Sequence, residues 1–414
     1  MRTRLVAPIV ALLDLKSLFS QVQEPRRVPG KQGPRHPLPG LLKLWVLAFA
    51  TGQLTSRDAE DLGQDLDDQW LARLGLRSNP SDSTLYDLLV RLGAQGWREA
   101  LQAQAAYGLS TGRVTNDLFP GGAISFDGKA GGSGMGRAPN PLCRQAPCDK
   151  QGTLCWHLFF TRAVLTSASA TQCLDQEFID DKKGEANCFP AIFARVLERF
   201  ASFFRYVTGD AGVVSASNAR LVIAAGKHYL FAIKENFNKL LPLARGLLAH
   251  APVLAETRER AQGMTVWRTL RRVVVPNGVT FPGATQFICV TQTKMDDCGH
   301  TIEEERIFLT SIPVGELSDA RLLKLVRLHW RIENGANWTA DLILKEDTQH
   351  PCAVNNAIIV VSWLRMLAFN LLTLARVSAS GAGRTLVRWR RAQDLLYAAL
   401  LGPVPQEQPT LDLV

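Results

Sequence analysis

The sequence predicts an α/β protein: a mixed sheet flanked by helices, a helical N-terminal part, and a strand-rich stretch inserted late in the chain. Three observations carry this. Residues 1–115 space their apolar residues three and four apart, the pattern of amphipathic helices. Near residue 120, short β-branched and aromatic runs begin to alternate with helical segments, which implies a sheet with helical crossovers. From 236 to 317, strand-like runs follow one another with only turns between them.

The N-terminal part opens with "MRTRLVAPIVALLDLK". Its basic start and short apolar run imitate a signal peptide, but Asp14 and Lys16 close the run and no small-residue cleavage site follows, so an amphipathic helix is expected. "EPRRVPGKQGPRHPLPG" is a connector. "LLKLWVLAFATG" reads as a core helix stopped by Gly52. In "NPSDSTLYDLLVRLG", Ser81 or Ser83 can cap a helix whose apolar face is Leu85, Leu88, Leu89 and Leu92. Ser83, Thr84, Arg91 and Arg98 could touch phosphates, or simply form a solvated face.

Residues 116–235 carry the first part of the sheet. "GGAISFDGKA", "LCWHLFFTRAVL", "SASATQCL", "RYVTGD" and "HYLFAIK" read as strands, with "FPAIFARVLERFASFF" and "SASNARLVIAAG" as helices. In 236–317, "TVWRTLRRVVV", "TQFICVTQTK" and "EERIFLTSI" read as an inserted β subdomain. Residues 318–400 return to helix, with Ser318 or Asp319 as a cap. The apolar run "AVNNAIIVVSWLRMLAFNLLTLAR" holds Asn355, Asn356, Arg365 and Asn370. Such groups are costly in lipid, so a buried helix is expected and no membrane partner. The tail, 401–414, is Pro/Gln-rich and is expected to fray.

The chain has 414 residues, and its 46% hydrophobic content excludes a disordered protein. Its net charge of +9 leans toward a polyanion such as nucleic acid, with a merely basic enzyme as the competing reading. The eight cysteines form no CxxC. Cys143, Cys148 and Cys155 cluster near His157, but their spacing fits no standard zinc pattern, so reduced thiols in a cytoplasmic setting are expected.

Two acids stand at comparable places, Asp127 after "AISF" and Asp210 after "RYVTG", each ending an apolar strand. Sites in open sheets gather at strand ends. Two neighbouring carboxylates repel unless a cation lies between them, and hard oxygen donors suit Mg²⁺ or Mn²⁺. The competing reading is that each Asp caps a turn. A third acid, Glu333 in "HWRIENGANW", lies on a predicted helix that also carries Asn337 and Asp341 at spacings of four on one face. Arg327, His329, Trp330 and Arg331 lie just upstream, a basic and aromatic setting for a phosphodiester. An exposed helix with ordinary ion pairs is the bland alternative.

The blocks "FDGK", "VTGDAG", "GKHYLFAIKEN" and "LHWRIENGANWTADLILKED" resemble the signatures of bacterial insertion-sequence DDE transposases, of the IS-four-like superfamily and its ISAs-type branch. The likeness runs from roughly residue 30 to 376. It implies an RNase H-like catalytic core with a β-rich insertion between the second Asp and the Glu. It also implies Asp127, Asp210 and Glu333 as a catalytic, metal-holding triad. Lys129, Lys234 and Asn236 match further family positions and, with Arg327, His329, Trp330 and Arg331, are the expected DNA-contacting residues. The chain departs from the wider superfamily at Val326, His329 and Ala340, where Tyr, Arg and Lys usually stand; Asp341, Lys345, Glu346 and Asp347 are expected to share that role.

The resemblance implies two divalent ions, Mg²⁺ with Mn²⁺ as substitute, roughly 3.5–4 Å apart, serving in-line displacement on a phosphodiester. One activates water or a 3′-hydroxyl, and the other stabilises the leaving oxygen. Cleavage at the element's ends and transfer of the 3′-OH strand to target DNA would follow. Transposon ends and target DNA are then the partners, with a homodimer on DNA, in the bacterial cytoplasm at the nucleoid. Trp330 and Trp338 could stack on a frayed base or pack in the core. A metal-dependent nuclease without strand transfer, or a DNA-binding descendant without catalysis, stays open as an alternative.

Overall fold

The computed structural model describes residues 2–15, 18–26, 34–114, 121–147, 151–167, 170–179, 184–261, 263–348, 350–380 and 386–404, with Arg2, Arg331 and Asn334 described in their backbone only. Helices come first. α1 (Arg2–Leu13) buries Leu5, Val6, Ile9, Leu12 and Leu13, the face the spacing predicts. α2 (Leu38–Thr51) is buried almost throughout and stops at Gly52, whose φ of 88° is the left-handed conformation that ends helices. α3 (Ser56–Asp65), α4 (Asp68–Leu74), α5 (Asp82–Arg91) and α6 (Trp97–Ser110) follow. Ser81, not Ser83, caps α5 by accepting from the Thr84 N–H.

The strands are β1 (Ala123–Gly134), β2 (Cys143–Pro147), β3 (Leu154–Thr166), β4 (Thr171–Phe178), β5 (Tyr206–Gly209) and β6 (His228–Ile233), then β7 (Ala255–Ala261), β8 (Met264–Val274), β9 (Gln286–Met295) and β10 (Thr301–Thr310). They form one sheet in the order β2-β3-β1-β5-β6-β10-β9-β8-β7, with β4 also on β3. β1, β3 and β4 are antiparallel neighbours, and β5 and β6 add in parallel to β1. This is the strand order and direction of an RNase H-like core. α7 (Glu185–Phe200) and α8 (Ala216–Ala224) make the crossovers into β5 and β6.

The inserted strands do not make a separate sheet. β10 pairs antiparallel with β6 from Thr310↔Leu230 to Ile307↔Ile233, so β7–β10 extend the central sheet. Two further elements lie in this stretch: α9 (Leu240–Ala249) and the edge strand β7. β7, "AETRERA", alternates between half-buried and exposed but is charged on both faces, so it has no apolar period.

After the insertion, α10 (Asp319–Arg331) begins at Ser318, whose side chain accepts from the Arg321 N–H. It packs Leu322, Leu325 and Val326 with Leu270, Ile288 and Phe308 of the sheet. A π-helical turn, Ile332–Asn337, leads into α11 (Trp338–Leu342). α12 (Ala357–Ser380) is long and apolar enough to cross a membrane, yet its apolar window is wholly buried. α1, α2, α6 and α13 (Trp389–Leu400) surround it, and β4 packs against it. Its polar Asn370 is satisfied by both the N–H and the carbonyl of Cys173, each at 2.8 Å. The N-terminal helices and the central sheet therefore share one apolar core. Of the tail, residues 405–414 lie outside the described residues.

Candidate active site

The parallel ladder between β1 and β5 runs from Ala123↔Tyr206 to Phe126↔Gly209 and stops there. Asp127 and Asp210 are the next residues, so the two acids stand side by side where the ladder ends. Asp210 follows a strand that terminates, as expected. Asp127 does not: β1 continues to Gly134 because β3 keeps pairing with it, through a bulge at Gly132, whose φ is 69°. The glycines of "FDGKAGGSG" weaken the strand signal, and the long partner overrides them.

The two acids have opposite environments. Burial first, then the charges of Glu333, Asp210 and Glu185, push Asp127 up to about 7, against a small opposing effect of the Gly128 N–H. Burial also raises Asp210, but the Lys234 ammonium, 2.9 Å from Oδ1, and the Ala211 N–H, 2.7 Å from Oδ1, outweigh it and hold Asp210 below the usual range. Glu333 is raised, first by burial, with Asp210 adding to it and Arg306 and Lys234 opposing. The three expected triad members thus lie within electrostatic reach of one another, drawn from β1, the end of β5 and the π-helical turn.

Among the described residues, no three or more His, Cys, Asp or Glu side chains are gathered closely enough to hold a metal as they stand. Asp127 turns to Asn337, whose Nδ2 donates to its Oδ2 at 2.9 Å, and Asp210 turns to Lys234. The donor set still suits a divalent cation, since mutually repelling carboxylates with one pKa raised to about 7 favour a hard positive charge among them. The cysteine cluster offers no such set. Cys143 is a free thiol, Cys155 is disulfide-bonded rather than reduced as expected, and Cys148 lies outside the described residues.

The expected DNA-contacting residues divide. Lys234 is half-exposed and pairs with Asp210, and Asn236 donates to the Ala211 carbonyl at 3.3 Å, so both stand beside the second acid. Lys129 is turned inward to Asp341 and to Glu346 Oε2 at 2.9 Å, which makes it a buried counter-ion and not a free cation. His329 is buried. Its Nδ1 lies 3.1 Å from Thr208 Oγ1, and burial lowers its pKa to about 4, leaving a neutral ring that braces β5 and cannot reach a phosphate. Arg327 is held by both oxygens of Glu259 at 3.0 Å, a contact between α10 and β7. Trp330 is covered by Arg306, 5.4 Å from its ring, whereas Trp338 stands 47% exposed beside the turn. The Arg331 side chain lies outside the described residues. In the N-terminal part, Arg98 is not free for phosphate either; it pairs with Asp175 and Glu177 of β4.

Arg162 and Glu185 were not anticipated, and Glu346, expected only to share an auxiliary role, is tied to the first of them. Arg162, wholly buried in β3, binds Glu346 through both terminal nitrogens and reaches Asn337 Oδ1 at 3.3 Å. Glu346 is held well below the carboxylate range: burial raises it, and Arg162 and Lys129 overcome that. Glu185, 7% exposed at the start of α7, fits a slot between the glycines that follow the two Asp residues. A Cβ at Gly128 would lie 2.0 Å from one of its carboxylate oxygens and a Cβ at Gly212 2.2 Å from the other. An arginine inside the apolar run "LCWHLFFTRAVL" is a sequence signal for a buried ion pair; Glu185 leaves none.

The mixed sheet, with β5 and β6 added in parallel to the antiparallel β1, β3 and β4, is that of an RNase H-like core. The Transposase DDE domain family matches residues 141–371, more than half of the chain, and the chain belongs to that family. The matched region contains Asp210 and Glu333 and begins after Asp127. No curated protein matches the sequence. Among solved structures, a cryo-EM structure of a piggyBac transposase synaptic complex with hairpin DNA aligns over 97% of this chain and 77% of that chain, at 10% identity and a TM-score of 0.46, too weak a likeness to carry an argument.

Proposed function

We propose that this chain is an insertion-sequence transposase of the IS-four-like superfamily, ISAs-type branch, which cuts phosphodiester bonds at its element's ends and joins the freed 3′-OH strand to target DNA. The observation that carries the reading is the meeting of Asp127 and Asp210 at the end of one parallel ladder, with Glu333 in electrostatic reach, in a chain of the Transposase DDE domain family. Asp127, Asp210 and Glu333 are the residues that would hold two divalent ions, Mg²⁺ or Mn²⁺. Those ions would supply activation of the attacking oxygen and neutralisation of the leaving one. Asp210, kept ionised by Lys234, is ready to bind a cation. Asp127 must give up its proton first, which a positive charge between the acids favours. Lys234 can then turn to a phosphate, and Trp338 offers an exposed ring for an unstacked base. DNA is the partner, bound by a dimer that pairs two ends, in the bacterial cytoplasm at the nucleoid.

The test uses a DNA fragment carrying the gene with its native flanks, purified protein, and Mg²⁺ or Mn²⁺, with Asp210→Asn alongside, and maps new 3′ ends. Defined cuts on both sides of the gene, absent in the variant, with product strands joined to added DNA, are expected. Scattered nicks that need Asp210, without joining, would make the protein a nuclease. Binding of the flanks without cuts would favour a non-catalytic descendant.

A further inference from the structure

We propose that Asn337 is a positioning residue for Asp127, an inference that rests on reading Asp127 as a catalytic carboxylate. Asn337 closes the same π-helical turn that carries Glu333. Its Nδ2 donates to Asp127 Oδ2 at 2.9 Å, and its Oδ1 accepts from Arg162 Nη1 at 3.3 Å. These partners dictate which way the amide faces. A guanidinium only donates, so the carbonyl oxygen must face Arg162 and the NH₂ must face the carboxylate.

Arg162 has no freedom to release this grip. It is fully buried, both terminal nitrogens bind Glu346, and its guanidinium lies 4.1 Å from the Phe160 ring centre. Glu346 is in turn held by Lys129, which projects from β1 two residues beyond Asp127. The series Glu346–Arg162–Asn337–Asp127 therefore runs from the interior to the first acid with every donor and acceptor role forced. A free aspartate turns easily about its last side-chain torsion. The amide removes that freedom, holding one oxygen and so setting the direction of the other. Because Glu333 and Asn337 share one turn, a displacement of that turn moves a triad member and the clamp on another together. Groups that orient a metal-binding carboxylate typically cost 10- to 100-fold in affinity or activity when removed.

The test is Mn²⁺ titration calorimetry on the purified full-length chain, with melting temperatures measured in parallel, for wild type, Asp127→Asn, Asn337→Ala and Asn337→Ser. Serine keeps an acceptor near Arg162, so the fold is retained if the alanine variant proves unstable, but it is too short to reach Asp127. Wild type should bind Mn²⁺, Asp127→Asn should not, and both Asn337 variants should bind about ten-fold or more weakly while still folded. Binding by either folded Asn337 variant within two-fold of wild type, with Asp127→Asn inert, would overturn the positioning role alone and leave a packing residue. If Asp127→Asn binds Mn²⁺ like wild type, or wild type binds none, the reading of Asp127 fails first and this inference with it.

Discussion

Asp127 is a carboxyl group held where its charge is unfavourable. With a folded pKa near 7 against an ordinary value of about 4, the folded chain keeps a proton that the unfolded chain releases between those pH values. Stability from this group is therefore highest below pH 4 and is lost as pH rises to 7, by on the order of 4 kcal/mol at most. Asp127→Asn removes the ionisable group and keeps an oxygen to accept from Asn337. In divalent-free buffer, the variant should melt several degrees above wild type at pH 8, with the gap closing toward pH 4. A gap that does not change with pH would mean that Asp127 does not carry this strain. Asp210 titrates in the opposite sense because Lys234 holds it ionised, so neighbouring acids of one site are set apart by their surroundings.

At the scale of elements, the buried charge cluster ties β1 and β3 to the segment after α11. Lys129 comes from β1, Arg162 from β3, and Glu346 from a turn whose preceding residue, Lys345, has a φ of 55°. Removing one member of such a cluster strands the others. Glu346→Gln should cost about 3–5 kcal/mol in urea unfolding at pH 7, whereas replacing Lys129, Arg162 and Glu346 together by apolar residues of similar size should cost much less. Equal losses in the single and triple variants would show that packing, not charge, governs the contact. The same elements show how far the sequence could be read. β5, the capped helices and the three acids were legible because short apolar runs, capping serines and an acid after a strand are local signals. The onward course of β1 was hidden by its glycines and is maintained by β3, a partner distant in sequence. The π-helical turn was hidden because Glu333, Asn337 and Asp341 keep an ordinary α-helical spacing. Lys129 and His329 carry the residue types of a DNA surface, and only the tertiary fold turns them inward.

For the whole molecule, the decisive feature is that the insertion extends the central sheet and is roofed by an element that follows it in the chain. Leu270 of β8, Ile288 and Val290 of β9 and Phe308 of β10 are buried against Leu322, Leu325 and Val326 of α10, and Arg272 and Glu259 are tied to Asp319 and Arg327 of the same helix. Cut out by itself, the stretch 236–317 would lose this cover and the β6 partner of β10. Four apolar side chains exposed at roughly 1.5–3 kcal/mol each are comparable with the whole stability of a small domain, about 5–15 kcal/mol. The isolated stretch should therefore show no cooperative thermal transition, while a piece extended through α10 should regain helix signal and part of the transition. Hydrogen exchange on the full chain provides the internal check. Amides of β10 paired with β6 should exchange with the slow core of β1 and β5, and those near Thr301, at the far end of the same strand, much sooner. If the isolated stretch melts cooperatively, or if all of β7–β10 exchanges as a unit faster than β6, the insertion is an independent domain, and its strands do not transmit force or position to the acids at the end of β5.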